Sequence, residues 1–438
     1  MKQLPMRVRG IFSDLFGHVE AYPVRGLFFF TYVGTLIVGN FFPVSLRREG
    51  FSGKEIAYIG SVGPIMMFLT QPLWGVAADR FGRRRCLSLA TFATAAVYFR
   101  MYWLHGFWPL FLTAGVMALF STPLGPLMDT VALDFVQTTG RLSYSMFRIW
   151  GAIAAAVGTA SAGFLIEGHA TRTAFLWGMG ALLVAGLSGL TLRSREPKRV
   201  VEKIALKDLG PVLHNVPLIA FLVIVFFVAL SSTAFWNFYG VYFTDIGASS
   251  TLFGLAIAVS AVGEIPLYFL AAPIFKRFGL QRALLFTFVC STIRLFAYAF
   301  IGKPKVAIWI ELSNGVSWTL FWIAAVEHVN QLVNPQWRAT GQALLNASCW
   351  GAGNILGILS NGLLLDYFKL HFINAWVPLA IQKVCFASGL LLAAVTVASA
   401  IYFKVIGRQA FVEAGVVGGA PQAQGVSAEY LSLADRKD

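Results

Sequence analysis

Two long apolar segments are separated by the short basic stretch Gly75-Val76-Ala77-Ala78-Asp79-Arg80-Phe81-Gly82-Arg83-Arg84-Arg85. Basic residues concentrate in the cytosolic loops of membrane proteins. The stretch therefore predicts a cytosolic loop that joins two membrane-spanning helices.

The composition of the 438-residue chain is that of a protein dissolved in lipid. Hydrophobic residues make up 57% of it and charged residues 12%, whereas average soluble domains contain about 25% charged residues. A helix needs roughly 20 apolar residues to cross a bilayer. Twelve such stretches are predicted, at 25–45, 56–77, 86–104, 107–136, 143–166, 173–192, 216–243, 252–275, 283–302, 305–333, 341–365 and 375–403.

The net charge of +14 is explained by topology. With both termini placed in the cytosol, 23 of the 34 Lys and Arg residues lie in cytosolic segments and seven lie in outside loops. This asymmetry follows the positive-inside rule and predicts the orientation. No nucleic-acid-binding motif accompanies the charge, so a nucleic-acid partner is not expected.

The chain is predicted to consist of two halves that repeat each other. A shift of 197 positions places 79–85 on 276–282, Gly50 on Gly247, Ser52 on Ser249 and Arg141 on Arg338. Parallel repeats with the substrate site between them are a known transporter architecture. The predicted domains are a cytosolic leader (1–24), a six-helix lobe (25–192), a basic central loop (193–215), a second six-helix lobe (216–404) and a mobile cytosolic tail (405–438).

The loop at 75–85 resembles the signature loop of the major facilitator superfamily. Within that superfamily, 144–151 (Tyr-Ser-Met-Phe-Arg-Ile-Trp-Gly), 263–266 (Gly-Glu-Ile-Pro) and 293–295 (Ile-Arg-Leu) resemble the proton-coupled sugar, nucleoside and phenylpropionate-type symporters. The resemblance implies an all-α membrane protein of twelve helices in two pseudo-symmetric lobes. It covers the chain except its leader and tail.

The signature loop is expected to act in gating. The candidate residues are Gly75, Asp79, Arg80, Gly82 and Arg83. Asp79 can approach a helix N-terminus or a basic residue, and Gly75 permits close helix packing. A latch centred on Asp79 and Arg80 would hold the cytosolic side closed. The alternative is that the arginines serve only as topology anchors.

Each half offers a carboxylate and an arginine at matched depth in consecutive spans. Asp129 and Arg148 lie roughly 10 Å from the cytosolic side, and Glu264 and Arg294 lie roughly 18 Å deep. Ionisable groups inside a membrane are costly and usually mark substrate or proton pathways. We expect these four residues, together with Glu311 of the tenth span, to bind the solute and the proton, although two structural salt bridges would leave the same pattern of pairs.

The tenth span carries a polar and aromatic stripe. Glu311, Asn314, Trp318 and Trp322 recur at intervals of three and four residues and therefore share a helix face. A carboxylate, an amide and two indoles suit a ligand with a flat or sugar-like face. Glu327 and His328 lie off this face, and they form a candidate proton exit or gate near the cytosolic end.

Further cavity residues are predicted on helices that line the path in the resembled superfamily. They are Asn40, Trp236, Asn237, Asn346, Trp350 and Asn354. Asparagine in a membrane helix also bridges neighbouring helices without touching a ligand, so both roles stay open.

The sequence thus predicts a secondary transporter that moves a small organic solute inward with protons. The solute would be a sugar, a nucleoside or an aromatic acid, and the protein would work as a monomer in lipid, in the cell (inner) membrane, without a cofactor or metal. One alternative is a proton-driven exporter of amphipathic compounds, and another is a non-transporting scaffold or sensor. The sequence contains no pattern of a nucleophile with a partner base, so an enzyme is not expected.

Overall fold

The computed structural model describes residues 17–139, 142, 144–192, 214–334, 337–371 and 377–413, and these form twelve helices. The helices that begin at Arg83 and at Leu280 each follow directly on a single glycine with positive φ. The helices are α1 (Tyr22–Arg48), α2 (Gly53–Phe81), α3 (Arg83–Trp103), α4 (Phe107–Thr139), α5 (Met146–Ile166), α6 (Thr173–Leu190), α7 (Val216–Asp245), α8 (Ser250–Phe278), α9 (Leu280–Phe300), α10 (Pro304–Leu332), α11 (Arg338–Asn346, Ala347–Gly353 and Asn354–His371) and α12 (Ala380–Glu413).

Ten of the twelve helices are long and apolar enough to cross a membrane by themselves. The other two are α3 and α11, which carry many polar residues. Helix α3 contains four arginines and several Ser and Thr residues, and α11 contains Asn346, Asn354 and Asn361. A polar helix can cross a bilayer where neighbouring helices cover its polar groups, and Thr91 and Thr94 of α3 and Asn354 and Asn361 of α11 are buried. The all-α membrane fold predicted from the sequence is confirmed.

The internal repeat is visible in the backbone. Gly50 and Gly247 have φ values of 88° and 81°, and Gly82 and Gly279 have φ values of 92° and 84°. The two glycines of each pair are separated by 197 positions, and residues other than Gly rarely adopt this backbone conformation. These glycines lie in turns at the two ends of the bundle. We call the end with Gly50 and Gly247 the Gly50/Gly247 face and the opposite end the Gly82/Gly279 face.

The two halves contact each other at the Gly50/Gly247 face. There the backbones of α5 and α8 lie so close that a Cβ atom on Gly254 would lie 2.5 Å from the Thr159 carbonyl oxygen. At the same face, between α2 and α11, a Cβ atom on Gly53 would lie 2.6 Å from the Gly362 carbonyl oxygen. All hydrogen bonds between the halves that join described residues lie at this face.

Helical phase is interrupted in three helices. Wide π-type turns occupy Ala154–Gly158 of α5, Gly315–Leu320 of α10 and Ala347–Gly353 of α11. Each wide turn inserts extra chain and rotates the following residues about the helix axis, and such turns are frequent at functional sites. Two of them contain a residue predicted to face the cavity, Trp318 in α10 and Trp350 in α11.

Several predicted domain limits fall outside the described residues. The leader is described only from residue 17 and the central loop only at 214–215. The tail is described only as far as Glu413, and there α12 continues as helix past the predicted limit at 404. Residues 405–413 are therefore helical, and the domain limits stay a prediction.

Candidate solute and proton site

The predicted ion pair of the first half is formed. Arg148 Nη1 on α5 lies 3.7 Å from Asp129 Oδ1 on α4. The same nitrogen donates a 2.9 Å hydrogen bond to the Tyr32 hydroxyl on α1. The Arg148 side chain is 51% exposed and the Asp129 side chain 33% exposed. A loose, half-exposed pair contributes little to stability and leaves both groups accessible to a ligand.

The arginine of the second half has a different partner from the one predicted. Arg294 Nη2 on α9 donates to Glu311 on α10 over 2.9 Å, and both side chains are at most 3% exposed. The Tyr298 hydroxyl bonds the same carboxylate. The predicted Glu264–Arg294 pair is therefore wrong, because equal depth does not specify the direction in which a side chain points.

Glu264 joins this network through an amide. Asn314 Nδ2 donates to Glu264 over 2.7 Å, and Asn314 Oδ1 accepts from Arg294 Nη1 over 2.6 Å. Glu264 on α8 is only partly buried, whereas Glu311 behind it is fully buried. One arginine thus serves two carboxylates, of which Glu311 holds the direct contact. The charge on Glu264 has no directly bonded cation among the described residues.

Four tryptophans form one aromatic cluster beside this network. The ring of Trp318 lies 5.0 Å from Trp236, 5.5 Å from Trp322 and 5.0 Å from Trp350, measured between ring centroids. These rings come from α7, α10 and α11, and they pack in stacked and edge-to-face arrangements. The structure thus brings together all four tryptophans predicted to line the cavity.

The predicted asparagines divide into two groups. Asn237 on α7 donates to Asn354 on α11 over 2.8 Å, a bond between helices. Asn40 and Asn346 donate to the carbonyl oxygens of Leu36 and Gln342 in their own helices. The hydrogen bonds of Asn40 and Asn346 are therefore local, and the place of these two residues in the cavity stays a prediction.

The signature loop is held by an arginine that points into its own half. Arg83 forms an ion pair with Asp134 of α4. Asp79 and Arg80 are exposed, and Asp79 makes no ion pair with a described residue. A Cβ atom on Gly75 would meet nothing within 4 Å, so the predicted close packing at Gly75 is absent in this conformation. The latch at Asp79 and Arg80 stays a prediction.

His328 lies in an aromatic cage. Its ring is 4.5 Å from Phe221 and 5.5 Å from Phe403 between centroids, and the residue is 4% exposed. Neither ring nitrogen has a hydrogen-bond partner among the described residues. Glu327 is half-buried and accepts from Gln331 over 3.3 Å. The structure therefore shows no polar link between these residues that would support the predicted proton exit.

Polar contacts at the Gly50/Gly247 face hold the halves together, and sequence reasoning missed them. Arg47 donates to both oxygens of Asp245 over 2.7 and 2.8 Å. Two other carboxylates accept from helix N-termini of the opposite half, Glu167 from Thr251 N and Asp366 from Gly53 N. The available signal was the repeat itself, since the receiving helices α2 and α8 start at equivalent positions.

The contact with the start of α8 changes the pKa of Glu167. A hydrogen bond from the backbone N–H of Thr251 lowers the pKa of Glu167 below its usual value, against the opposing effect of burial. The Thr251 and Ser249 hydroxyls and the Arg48 charge add to the lowering. A helix N-terminus favours the ionised form of a carboxylate in this way.

Twelve helices in two repeated halves, with ionisable groups on the membrane-spanning helices of each half, define a membrane transporter. The chain belongs to the MFS_1 like family, whose model matches residues 23–375, and so to the major facilitator superfamily. It is 28% identical over 337 residues to the maltose permease of Geobacillus stearothermophilus, covering 76% of this chain and 85% of the permease. It is also 24% identical over 376 residues to multidrug resistance protein 1 of Bacillus subtilis, covering 81% and 92%.

Solved structures of the same fold agree with this assignment. The nucleoside transporter NupG superposes with a TM-score of 0.76 at 16% identity, over 88% of this chain and all of that chain. A bacterial homologue of the lysosomal transporter Spinster, in an inward-facing and occupied conformation, superposes with a TM-score of 0.63 at 16% identity, over 96% of this chain and all of that chain. At these identities the likeness concerns the fold.

Proposed function

We propose that the protein is a proton-coupled symporter that moves a small organic solute inward. The solute belongs to the sugars, nucleosides or aromatic acids. Both termini lie in the cytosol, so the Gly82/Gly279 face is cytosolic and the Gly50/Gly247 face is outside. The protein acts as a monomer in the cell (inner) membrane and uses the proton gradient without a cofactor. The names of relatives such as the maltose permease support this class.

The observation that carries the proposal is the unequal charge in the second half. Arg294 and Glu311 neutralise each other, which leaves Glu264 as an extra carboxylate at membrane depth. An uncompensated charge in a membrane is costly. Glu264 therefore gains most from a proton or from a donor group of the solute, and it is less deeply buried than Glu311.

The geometry gives each group a role in the cycle. Arg148 and Asp129 in the first half bind polar edges of the solute, and the four-tryptophan cluster in the second half packs on its apolar face. Asn314 transmits the state of Glu264 to Arg294, since it bonds both groups. A proton on Glu264 removes an acceptor charge from this chain of bonds. Solute and proton together then permit the halves to rock.

The experiment compares net uptake with exchange. Glu264→Gln keeps the size of the side chain and an oxygen that accepts the hydrogen bond from Asn314, but the amide cannot take up or release a proton. In proteoliposomes we expect this variant to lose accumulation driven by a proton gradient while it still exchanges internal for external solute. Loss of both activities, or retention of both, contradicts the role of Glu264.

A second candidate is a proton-driven exporter of amphipathic compounds. The tryptophan cluster and the similarity to multidrug resistance protein 1 of Bacillus subtilis favour it. In energised cells an exporter lowers the internal concentration of its solute, whereas a symporter raises it. A measurement of the internal solute concentration in energised cells therefore separates the two directions of transport.

A further inference from the structure

A pocket of about 280 Å³ lies inside the first half, apart from the tryptophan cluster. Its walls are α1, α3 and α4, and none of its twelve lining residues is charged. Drug-sized ligands occupy pockets of roughly 300–1,000 Å³. The pocket is therefore large enough for a single ring and too small for most amphipathic drugs.

Hydroxyl groups line one part of the pocket. They belong to Thr31, Tyr32, Thr35, Tyr98 and Ser121. Thr31 is 1% exposed, and its Oγ1 has no hydrogen-bond partner among the described residues. Buried polar atoms are nearly always bonded, so an unsatisfied hydroxyl in a pocket wall indicates a place for a ligand or water. A hydroxyl both donates and accepts, as the hydroxyls of a sugar do.

The rest of the lining is apolar, and charge is available only at one side. Val38, Phe42, Met117, Leu124 and Met128 complete the walls. Tyr32 lines the pocket and accepts the hydrogen bond from Arg148, so the pocket adjoins the Asp129–Arg148 pair. A solute could thus place a polar edge at Arg148 and an uncharged ring in the pocket.

We infer that this pocket is the subsite for an uncharged, hydroxylated ring of the solute, of the size of one monosaccharide unit. The ring bonds Thr31 through a hydroxyl and packs its C–H face on the apolar wall. The inference rests on the proposed function and narrows its solute class. A ribose or a hexose fits this description, whereas the ring of an aromatic acid leaves Thr31 unsatisfied.

Two glycines in the lining permit a test that leaves the fold intact. A Cβ atom on Gly39 or on Gly125 would meet nothing within 4 Å, so a larger side chain can begin at either position without a clash at its Cβ atom. Glycine is also a poor helix residue, and its replacement favours the helix. Gly180 on α6 is equally unobstructed but does not line the pocket, which makes Gly180→Leu the matched control.

The experiment measures uptake of labelled glucose, uridine and 3-phenylpropionate in proteoliposomes. We expect the wild-type protein to take up glucose or uridine, and Gly39→Leu and Gly125→Leu to raise its KM at least tenfold. Gly180→Leu should keep the wild-type KM. Thr31→Val keeps the shape and removes the hydroxyl, so it should raise KM by roughly tenfold with little change in maximal rate.

Three results would overturn the inference. If both leucine variants keep the wild-type KM, the pocket is not a subsite, and the proposed function is unaffected. If the wild-type protein takes up 3-phenylpropionate alone, the hydroxylated ring is the wrong class while transport stands. If none of the three probes is taken up with or without a proton gradient, the proposed function fails together with the inference.

Discussion

The Asp366 carboxylate at the end of α11 accepts a 2.6 Å hydrogen bond from the backbone N–H of Gly53 at the start of α2. It also accepts from Lys54 N over 2.9 Å. The bond joins the two halves of the molecule, and the helix N-terminus attracts the negative charge. Glu167 makes the equivalent contact to α8 from the opposite half. The Gly50/Gly247 face is thus closed by two related caps.

Removing the Asp366 cap should open this face. Hydrogen bonds to charged groups contribute roughly 1.5–3 kcal/mol, and the bond from Lys54 is exposed. We therefore expect Asp366→Ala to shift the equilibrium between the closed and the open Gly50/Gly247 face about tenfold towards the open state. Spin labels at Tyr58 on α2 and Leu370 on α11, both exposed, report the separation by pulsed resonance. Asp366→Asn keeps an acceptor and should lie between the two. An unchanged distance distribution in Asp366→Ala would refute the cap.

The Glu167 cap should respond to pH only in strong acid. Its pKa is lowered by the Thr251 N–H, so the carboxylate stabilises the closed face fully above the ordinary Glu value of about 4.3. The stabilisation is lost as pH falls through the lowered value. Opening measured between spin labels should therefore stay constant from pH 8 to 5 and rise below about 4. A midpoint near pH 6 that vanishes in Glu167→Gln would show the opposite.

Breaking the buried pair of Arg294 and Glu311 should destabilise the protein strongly. Loss of one partner from a buried ion pair typically costs about 3–5 kcal/mol, because the other charge is left without compensation. Glu311→Ala should therefore lower the Tm of the detergent-solubilised protein clearly. The double variant Arg294→Met, Glu311→Leu should recover part of the loss. Equal Tm values for wild type and Glu311→Ala would mean that the pair is not formed.

The half-exposed pair of the first half should behave differently. Exposed ion pairs contribute about 0–1 kcal/mol, so Arg148→Ala should change the Tm little. Uptake should nevertheless fall at least tenfold, because the arginine that meets the solute is lost. Arg148→Lys keeps the charge but not the planar donor fork and should recover only part of the uptake. Wild-type uptake in Arg148→Ala would remove this residue from the solute site.

The backbone plan of the molecule could be read from the sequence, because it depends on local features. The basic stretch at 75–85 and the offset of 197 positions predicted two equivalent loops, and the structure places a positive-φ glycine in each, Gly82 and Gly279. The capping serines follow the same offset, since Ser52 and Ser249 each accept from the backbone N–H three residues later. Such features involve neighbours in the chain and need no knowledge of tertiary packing.

The partners of the buried charges could not be predicted in full. Depth follows from residue number, and it correctly brought Asp129 to Arg148. Direction around the helix axis depends on packing, and this is why Arg294 contacts Glu311 and reaches Glu264 only through Asn314. The wide turns in α10 and α11 also rotate the residues that follow them, among them Trp322 and Asn354. A fixed angle of 100° per residue does not account for that rotation.

The most direct test of the central claim is the proton flux that accompanies solute uptake in proteoliposomes containing the purified protein. With a solute gradient and no imposed proton gradient, we predict proton entry into the lumen together with the solute. In Glu264→Gln vesicles the proton signal should vanish. Solute uptake with no proton movement in the wild-type protein, at a rate that an imposed pH gradient leaves unchanged, would contradict coupling.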